Sequence, residues 1–206
     1  MLVKNRIDPA SVSILDRLAI VGKFGMGALE YYPENQLSNT VVSDNIEELA
    51  RQCEKILNEE YEGSLEELVV AGGSSGGARP KVLIKYNGED WIVKFPSSFD
   101  PKDIGKQEYE YSIKAREVGL YMPETKLFEG KYFGVKRFDR KNNKKVHMLS
   151  ASGLLNASHR LPTLDYVDLM KATQLLTRNY REVEKMFRLM CFNVCLHNRD
   201  DHSKNF

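Results

Sequence analysis

The last ten residues, His197-Asn198-Arg199-Asp200-Asp201-His202-Ser203-Lys204-Asn205-Phe206, carry two carboxylates, two imidazoles and two amides directly after an apolar helical run. That is more polar chemistry than a helix-to-strand connection requires. Asp200 and Asn205 stand at the Asp-x-x-x-x-Asn spacing of a phosphotransferase catalytic loop, in which the Asp accepts a hydroxyl proton and the Asn holds a metal ion. The same residues also suit a solvated, well-capped turn, and the stretch alone does not separate the two readings.

Two earlier stretches bear on the choice. Gly72-Gly73-Ser74-Ser75-Gly76-Gly77 runs into Ala78-Arg79-Pro80-Lys81, and its φ freedom and bare amides permit close approach to an anion. A Gly/Ser run is also the composition of a flexible linker. A linker, however, has no reason to end in Ala-Arg-Pro-Lys and feed straight into a hairpin, whereas a phosphate-covering loop sits between strands. No Gly-Lys-Ser/Thr leads the glycines into a helix, so the run would be a kinase-type cover and not a Walker loop. Lys94, in Trp91-Ile92-Val93-Lys94-Phe95-Pro96, alternates away from Val93 and Phe95. Alone it reads as a lysine on a solvated face. Glu108 follows on a candidate helix, with Glu110 the less favoured alternative, and a strand lysine paired with a helix glutamate is how kinases orient the α- and β-phosphates. Glycine loop, strand lysine, helix glutamate and Asp-x-x-x-x-Asn thus occur in the order a bilobal kinase demands.

The elements that must position these residues are legible as changes of period. Between Asp44 and Glu60, Ile46, Leu49, Ala50, Cys53, Ile56 and Leu57 recur at helical spacing, with Asp44 and Glu47 offering a capping box. Before it, Leu15 to Tyr32 mixes short apolar runs with Gly22, Gly25 and Gly27, which predicts strand pairs or tight turns. Val82, Ile84 and Tyr86 alternate, Asn87-Gly88 follows, and Trp91, Val93 and Phe95 alternate again, predicting a type I′ hairpin. A helix is predicted from about Asp103 to Val118, stopping at Gly119. A second hairpin is predicted around Glu129-Gly130-Lys131, ending in Lys136-Arg137-Phe138-Asp139-Arg140, where Asp139 suits either a ribose hydroxyl or a salt bridge with Arg137 or Arg140. Lys141 to Lys145 reads as a loop. Two helices follow, about Leu164 to Thr177 and Arg181 to Leu196, the second expected to bury Val183, Met186, Phe187, Met190, Val194 and Cys195. Strand-rich first and helix-rich after, the fold class is α+β with two unlike lobes.

Composition excludes other classes. Lys plus Arg number 30 against 29 Asp plus Glu, a net charge of +1, so bulk charge gives no argument for nucleic-acid or membrane-surface binding. No apolar run approaches a membrane span, and Met1 to Arg6 lacks a signal-peptide core, so a soluble cytoplasmic protein is expected. Cys53, Cys191 and Cys195 make an odd count without a CxxC and read as reduced core residues; a zinc site around Cys191, Cys195 and His197 would lack ligands.

Asp16 to Gly22, Gly27-Ala28-Leu29, Ser74 to Lys81, Phe138-Asp139-Arg140 and above all Asn198 to Phe206 together resemble the HipA-like serine/threonine kinases, toxins of bacterial toxin-antitoxin pairs. The resemblance implies ATP and magnesium as cofactors, Asp200 as catalytic base, Asn205 as magnesium ligand, and His202 and Lys204 as nucleotide or phosphate contacts. It implies that Ser75, Gly76, Gly77, Ala78, Arg79, Pro80 and Lys81 cover the phosphates, that Lys94 holds them beside Glu108, and that the backbone of Lys136, Arg137 and Phe138 faces adenine. Ser74 would be the autophosphorylation site, its phosphate repelled from the nucleotide's own so that the loop swings out. The partners implied are a HipB-like helix-turn-helix antitoxin, with DNA reached only through it, and a protein substrate such as an aminoacyl-tRNA synthetase. The resemblance divides the chain into a partial N-terminal subdomain (1–61), a kinase N-lobe (62–140) and the start of a helical C-lobe (141–206). A second magnesium-binding Asp would lie beyond Phe206, so the sequence is expected to be a fragment or one half of a split kinase, poor at phosphate transfer by itself.

Two other functions stay open at this level. Asp200-x-His202-x-x-Asn205 also resembles the loop of phosphoinositide kinases, which leaves a lipid or small-molecule acceptor. A catalytically incomplete module that binds nucleotide or antitoxin is the other, although such a module has no chemical need to combine Lys94, Asp200 and Asn205.

Overall fold

The computed structural model describes residues 13–23, 25–34, 45–57, 79–97, 99–158, 164–198 and 200–206. The glycine-rich run from Gly72 to Ala78 with Ser74 and Ser75, the predicted cap Asp44, and Arg199 lie outside them. The elements are α1 (Ile14–Val21), α2 (Ile46–Leu57), β1 (Lys81–Tyr86), β2 (Glu89–Lys94), α3 (Ile104–Glu117), β3 (Thr125–Phe128), β4 (Tyr132–Lys136), β5 (Arg140–Lys141), β6 (Lys144–Lys145), α4 (Ala151–Leu154), α5 (Tyr166–Thr177) and α6 (Tyr180–Cys195). They form two compact units, residues 1–113 with 123–147 and residues 114–122 with 148–206. Helix and antiparallel sheet are mixed, as the α+β reading expects. Among the described residues no helix is long and apolar enough to cross a membrane.

The first unit is built on a four-stranded antiparallel sheet in the order β1-β2-β4-β3. Both predicted hairpins are present. Asn87 and Gly88 take φ of 51° and 78°, the left-handed pair that a type I′ turn needs, and set the register Ile84↔Trp91 and Lys81↔Lys94. Val82, Trp91, Val93, Phe95 and Phe128 are buried together with Ile46, Leu49, Ala50 and Cys53 of α2, so the amphipathic stripe of α2 forms a common core with the sheet. Tyr86, Trp91 and Phe128 meet edge to face at centroid distances of 5.1–6.2 Å. Burial pushes the Cys53 thiol pKa up to about 12, which keeps it protonated and inert. At the start of α2 the Asn45 side chain accepts from the Glu48 amide at 3.1 Å.

Two expectations fail here. Leu15 to Tyr32 does not open with strands: α1 is a helix, because Ser13 and Asp16 form a reciprocal capping box ahead of it and Gly22, at φ 49°, ends it. The glycines that suggested turns all follow the helix. Lys141 to Lys145 is not an irregular loop either, since Asn142 and Asn143 both adopt positive φ (51° and 59°) and pair β5 with β6. Asn tolerates the left-handed region well enough to replace Asn-Gly there.

In the second unit α5 begins at an Asp165/Asp168 capping box, ends at Arg178 in the left-handed region, and is followed at once by Asn179 capping α6. Both helices match the predicted spans. The burial expected on α6 is corrected: Phe187 is 51% exposed, Val194 63%, and Cys195 is exposed, while Val183, Met186 and Met190 are half-buried. Among the described residues α6 packs chiefly on α5, so only one side of its apolar surface is covered. The buried residue of α6 is the polar Asn193.

The approach of α3 to the sheet is limited by one glycine. A Cβ on Gly105 would overlap the Lys131 carbonyl oxygen, a backbone atom that cannot turn away, and would stand 3.1 Å from the Phe133 amide nitrogen. This contact seats the turn of α3 that carries Glu108, and Ser112 Oγ meets Thr125 Oγ1 at 2.9 Å further along. In an open helix, Gly→Ala would be favourable by up to about 1 kcal/mol. Gly105→Ala is expected instead to destabilise the protein by about 1–3 kcal/mol through overpacking, read as a lower urea midpoint; an unchanged or raised midpoint would show that the contact does not constrain α3.

Candidate functional site

The first unit places a charged cluster where β1, β2 and α3 meet. Lys81 and Lys94 stand directly opposite each other in the β1–β2 register, so two ammonium groups share one face of the sheet. Lys94 Nζ lies 2.8 Å from Glu108 Oε2 and 5.4 Å from the centre of the Phe133 ring. The other Glu108 oxygen, Oε1, accepts a short hydrogen bond from Arg79 Nη1. Arg79 in turn grips Asp100, its Nε 3.0 Å from both carboxylate oxygens. Burial would raise the Asp100 pKa, but the Ser97 hydroxyl and amide, at 2.6 and 2.8 Å, and the Arg79 guanidinium outweigh it and hold it below the ordinary 3.8. The structure therefore brings Lys94 and Glu108 together and turns Arg79, at the end of the glycine-rich segment, onto two carboxylates. Asp100 escaped the sequence reading; its only local signal is Ser97-x-x-Asp100, an ordinary loop pattern. Pro80 contributes its carbonyl, which accepts from the Phe95 amide at 2.9 Å.

Between β4 and β5 the chain crosses Lys136, Arg137 and Phe138. Lys136 pairs with Glu89 at 2.9 Å, its amide donates to the Glu124 carbonyl at 2.9 Å, and the Arg137 amide donates to the Asp90 carbonyl at 2.8 Å. The Phe138 ring is exposed. Asp139 resolves to the salt-bridge alternative. Its side chain is 0% exposed, and it accepts from Arg137 Nε (2.9 Å) and Nη2 (2.7 Å), Arg140 Nη1 (2.9 Å) and the Gly27 amide (2.7 Å). Both arginines also reach the Gly25 carbonyl, and Arg140 the Gly27 carbonyl, so one carboxylate and two guanidiniums tie the segment after α1 to the segment after β4. A carboxylate so paired and wholly buried is not presented to a ribose.

The second unit holds the loop from His197 to Phe206. The first amides of α4 anchor its end: Ala151 N donates to the Phe206 carbonyl at 2.7 Å and Ser152 N to the Ser203 carbonyl at 2.8 Å. Its two adjacent carboxylates have different surroundings. Asp201 is half-buried and accepts from the Tyr166 hydroxyl at 3.0 Å. Asp200 is 81% exposed, with His202 Nε2 3.2 Å from its Oδ1. His202 Nδ1 accepts from the Lys204 amide at 3.3 Å, which leaves the ring proton on Nε2, directed at Asp200. Asn205 Nδ2 donates a short hydrogen bond to the Asp200 carbonyl, leaving the amide oxygen of Asn205 as an acceptor. Lys204 is exposed. Among the described residues no group of three or more His, Cys, Asp or Glu is placed to hold a metal by itself.

The family model of the HipA-like C-terminal domain matches residues 73–206. No curated protein matches the chain. Among solved structures it is similar to a chain of the toxin-antitoxin complex of HipA, HipB and operator DNA from Shewanella oneidensis MR-1, with a TM-score of 0.69 and 19% identity over 99% of this chain. The chain spans 55% of the length of that relative. At this identity the likeness is one of fold.

The Asp139 cluster gives a test of the first unit. Burial would raise the carboxyl pKa, but the hydrogen bonds from Arg137 and Gly27 and the charges of both arginines outweigh it, so the folded value lies below 3.8. A lowered folded value makes the contribution complete above the ordinary carboxylate range and removes it as pH falls below about 4. Asp139→Asn is expected to cost about 3–5 kcal/mol at neutral pH by leaving two guanidiniums short of their counter-charge, and to flatten the acid limb of a stability-against-pH curve. Equal denaturation midpoints for the two proteins from pH 3 to 7 would refute the role.

Proposed function

Because the chain belongs to the HipA-like C-terminal domain family, we propose that it carries the nucleotide-binding and catalytic-loop parts of an ATP-dependent serine/threonine protein kinase of the HipA toxin type. In this reading the sheet unit belongs to the strand-rich lobe of a bilobal kinase, and the α4–α6 unit begins the helical lobe. The observation that carries the proposal is the Lys94–Glu108 pair at 2.8 Å, a strand lysine oriented by a helix glutamate. Lys94 then presents its ammonium to the α- and β-phosphates, with Lys81 alongside. Lys136 and Arg137 already spend their amides on the protein, so an adenine edge would meet the Phe138 amide and the carbonyls of this segment.

Asp200 is the proton acceptor of the proposal. His202 occupies Oδ1, leaving Oδ2 for the hydroxyl of a Ser or Thr acceptor; its oxygen would bond to the γ-phosphorus of ATP as its proton passes to Asp200, while the bond from that phosphorus to the β,γ-bridging oxygen breaks and ADP leaves with those electrons. Hard oxygen donors suit magnesium, and Asn205, its Nδ2 engaged by Asp200, offers its amide oxygen. Bound there with nucleotide, magnesium would neutralise phosphate charge. Lys204, exposed on the same loop, would contact phosphate oxygens. The solved relative lies in a complex with HipB and operator DNA, which supports a HipB-like antitoxin as the partner; in this reading DNA would be reached through it.

Calorimetry with magnesium and ATP tests the reading. Lys94→Ala is expected to weaken binding by about 10-fold or more, the range of a lost charge-assisted hydrogen bond. In the full-length protein Asp200→Asn is expected to bind ATP within about twofold of wild type while phosphate transfer falls by about 10²–10⁴-fold. Wild-type transfer rates in both variants would overturn the assignment, and so would identical ATP affinity with and without Lys94.

A further inference from the structure

Asn193 is 7% exposed within α6, where most neighbours are half-buried or exposed. A buried amide must be satisfied at both ends. Its Nδ2 donates to the Tyr166 hydroxyl at 2.8 Å, and its Oδ1 accepts from Asn198 Nδ2 at 3.1 Å. Asn198 Oδ1 accepts in turn from the Asp200 amide at 3.1 Å, and the Tyr166 hydroxyl, having accepted from Asn193, donates to Asp201 Oδ2 at 3.0 Å. Asp200 and Asp201 are consecutive, so the chain of bonds closes on itself through their peptide link. Every donor points the same way around: Asp200 to Asn198, Asn198 to Asn193, Asn193 to Tyr166, Tyr166 to Asp201. Such head-to-tail bonds polarise one another, and this set ends on an anion.

We propose that this closed ring of hydrogen bonds makes Tyr166, Asn193 and Asn198 positioning residues for Asp200, fixing the loop backbone on both sides of the proton acceptor and withdrawing Asp201 from that role. The inference rests on the reading of Asp200 as the base. The ring has a second support, since Phe206 packs edge to face on Tyr166 at 5.6 Å, and Phe206 and Ser203 are pinned by α4. Burial and the Asp201 carboxylate raise the Tyr166 pKa despite the opposing Asn193 bond, which keeps the hydroxyl a donor. Each ring residue acts through the loop and none touches the reacting atoms, so the expected signature is a loss in kcat without a loss in nucleotide affinity.

Tyr166→Phe deletes the hydroxyl and retains the ring against Phe206; Asn198→Ala cuts the same circuit from the exposed loop without touching the α5–α6 packing. Both are compared with wild type and Asp200→Asn, each in the full-length protein, in magnesium-dependent ATP turnover, with water as acceptor, and in amide hydrogen exchange. Expected for both ring variants is a kcat about 10–100-fold lower with KM for ATP within about twofold. The Asp200 amide is expected to exchange about 5-fold or more faster, as befits a weakened hydrogen bond, while amides of α5 and α6 keep their rates. Tyr166→Phe with Asn198→Ala should be no worse than either alone, because both open one ring. Wild-type kcat and unchanged Asp200 exchange in the two single variants would overturn the inference while leaving the kinase reading intact, provided Asp200→Asn is impaired. Unimpaired Asp200→Asn would sink the reading and the inference together.

Discussion

Glu108 must serve two cations at once, and the arrangement of the first unit follows from that. Its two oxygens are divided between Lys94 on β2 and Arg79 at the head of β1. With Lys81 opposite Lys94, three positive side chains are gathered on one end of a sheet, where like charges repel. Lys94 and Arg79 are held there because α3 comes close enough to insert the Glu108 carboxylate and Asp100 supplies a second to Arg79. Close approach requires a residue without a side chain at 105, and the pairing requires the register that Asn87-Gly88 imposes. A one-residue slip in that hairpin would move Lys94 to the face occupied by Trp91 and Val93 and abolish the pair.

The same economy of donors and acceptors separates the carboxylates by role. Asp139 accepts hydrogen bonds from two arginines and a backbone amide in a site without solvent, so its charge organises the chain and is unavailable for chemistry. Asp201 is taken by Tyr166. Asp200 retains an oxygen free of those constraints and faces solvent, with His202 steadying the other. On the proposed reading a proton acceptor needs an open lone pair, and of these three carboxylates Asp200 alone offers one to solvent.

Local signals in the sequence carried the elements whose causes are local. Asn87-Gly88 and Glu129-Gly130 announce their hairpins because turn chemistry is decided within a few residues, and Gly119 marks the end of α3 for the same reason. At α1 the glycines that lie beyond the helix are a louder local signal than the Ser13/Asp16 box that starts it, and Asn142-Asn143 lacks the glycine that makes a turn conspicuous. Burial on α6 was not legible at Phe187, Val194 or Cys195, because periodicity identifies an apolar face without saying what covers it. The Lys94–Glu108 pair was visible as a spacing between strand and helix. Asp100 was not, since its importance comes from an arginine distant in sequence and known only when the chain folds.

Polar residues inside helices carry more information than apolar ones in the second unit. An apolar side chain on α6 could be replaced by another of similar size with little change in what the helix does. Asn193 could not, because its amide is matched donor for acceptor by Tyr166 on one side and Asn198 on the other, and a buried amide that loses either partner is left unsatisfied. The helix hairpin and the loop are thereby made a single object: rotation of α6 that would move Asn193 must also move Asn198, and with it the Asp200 backbone. On the proposed reading, the loop that carries Asp200 is thus oriented by the helices behind it as well as by its own sequence.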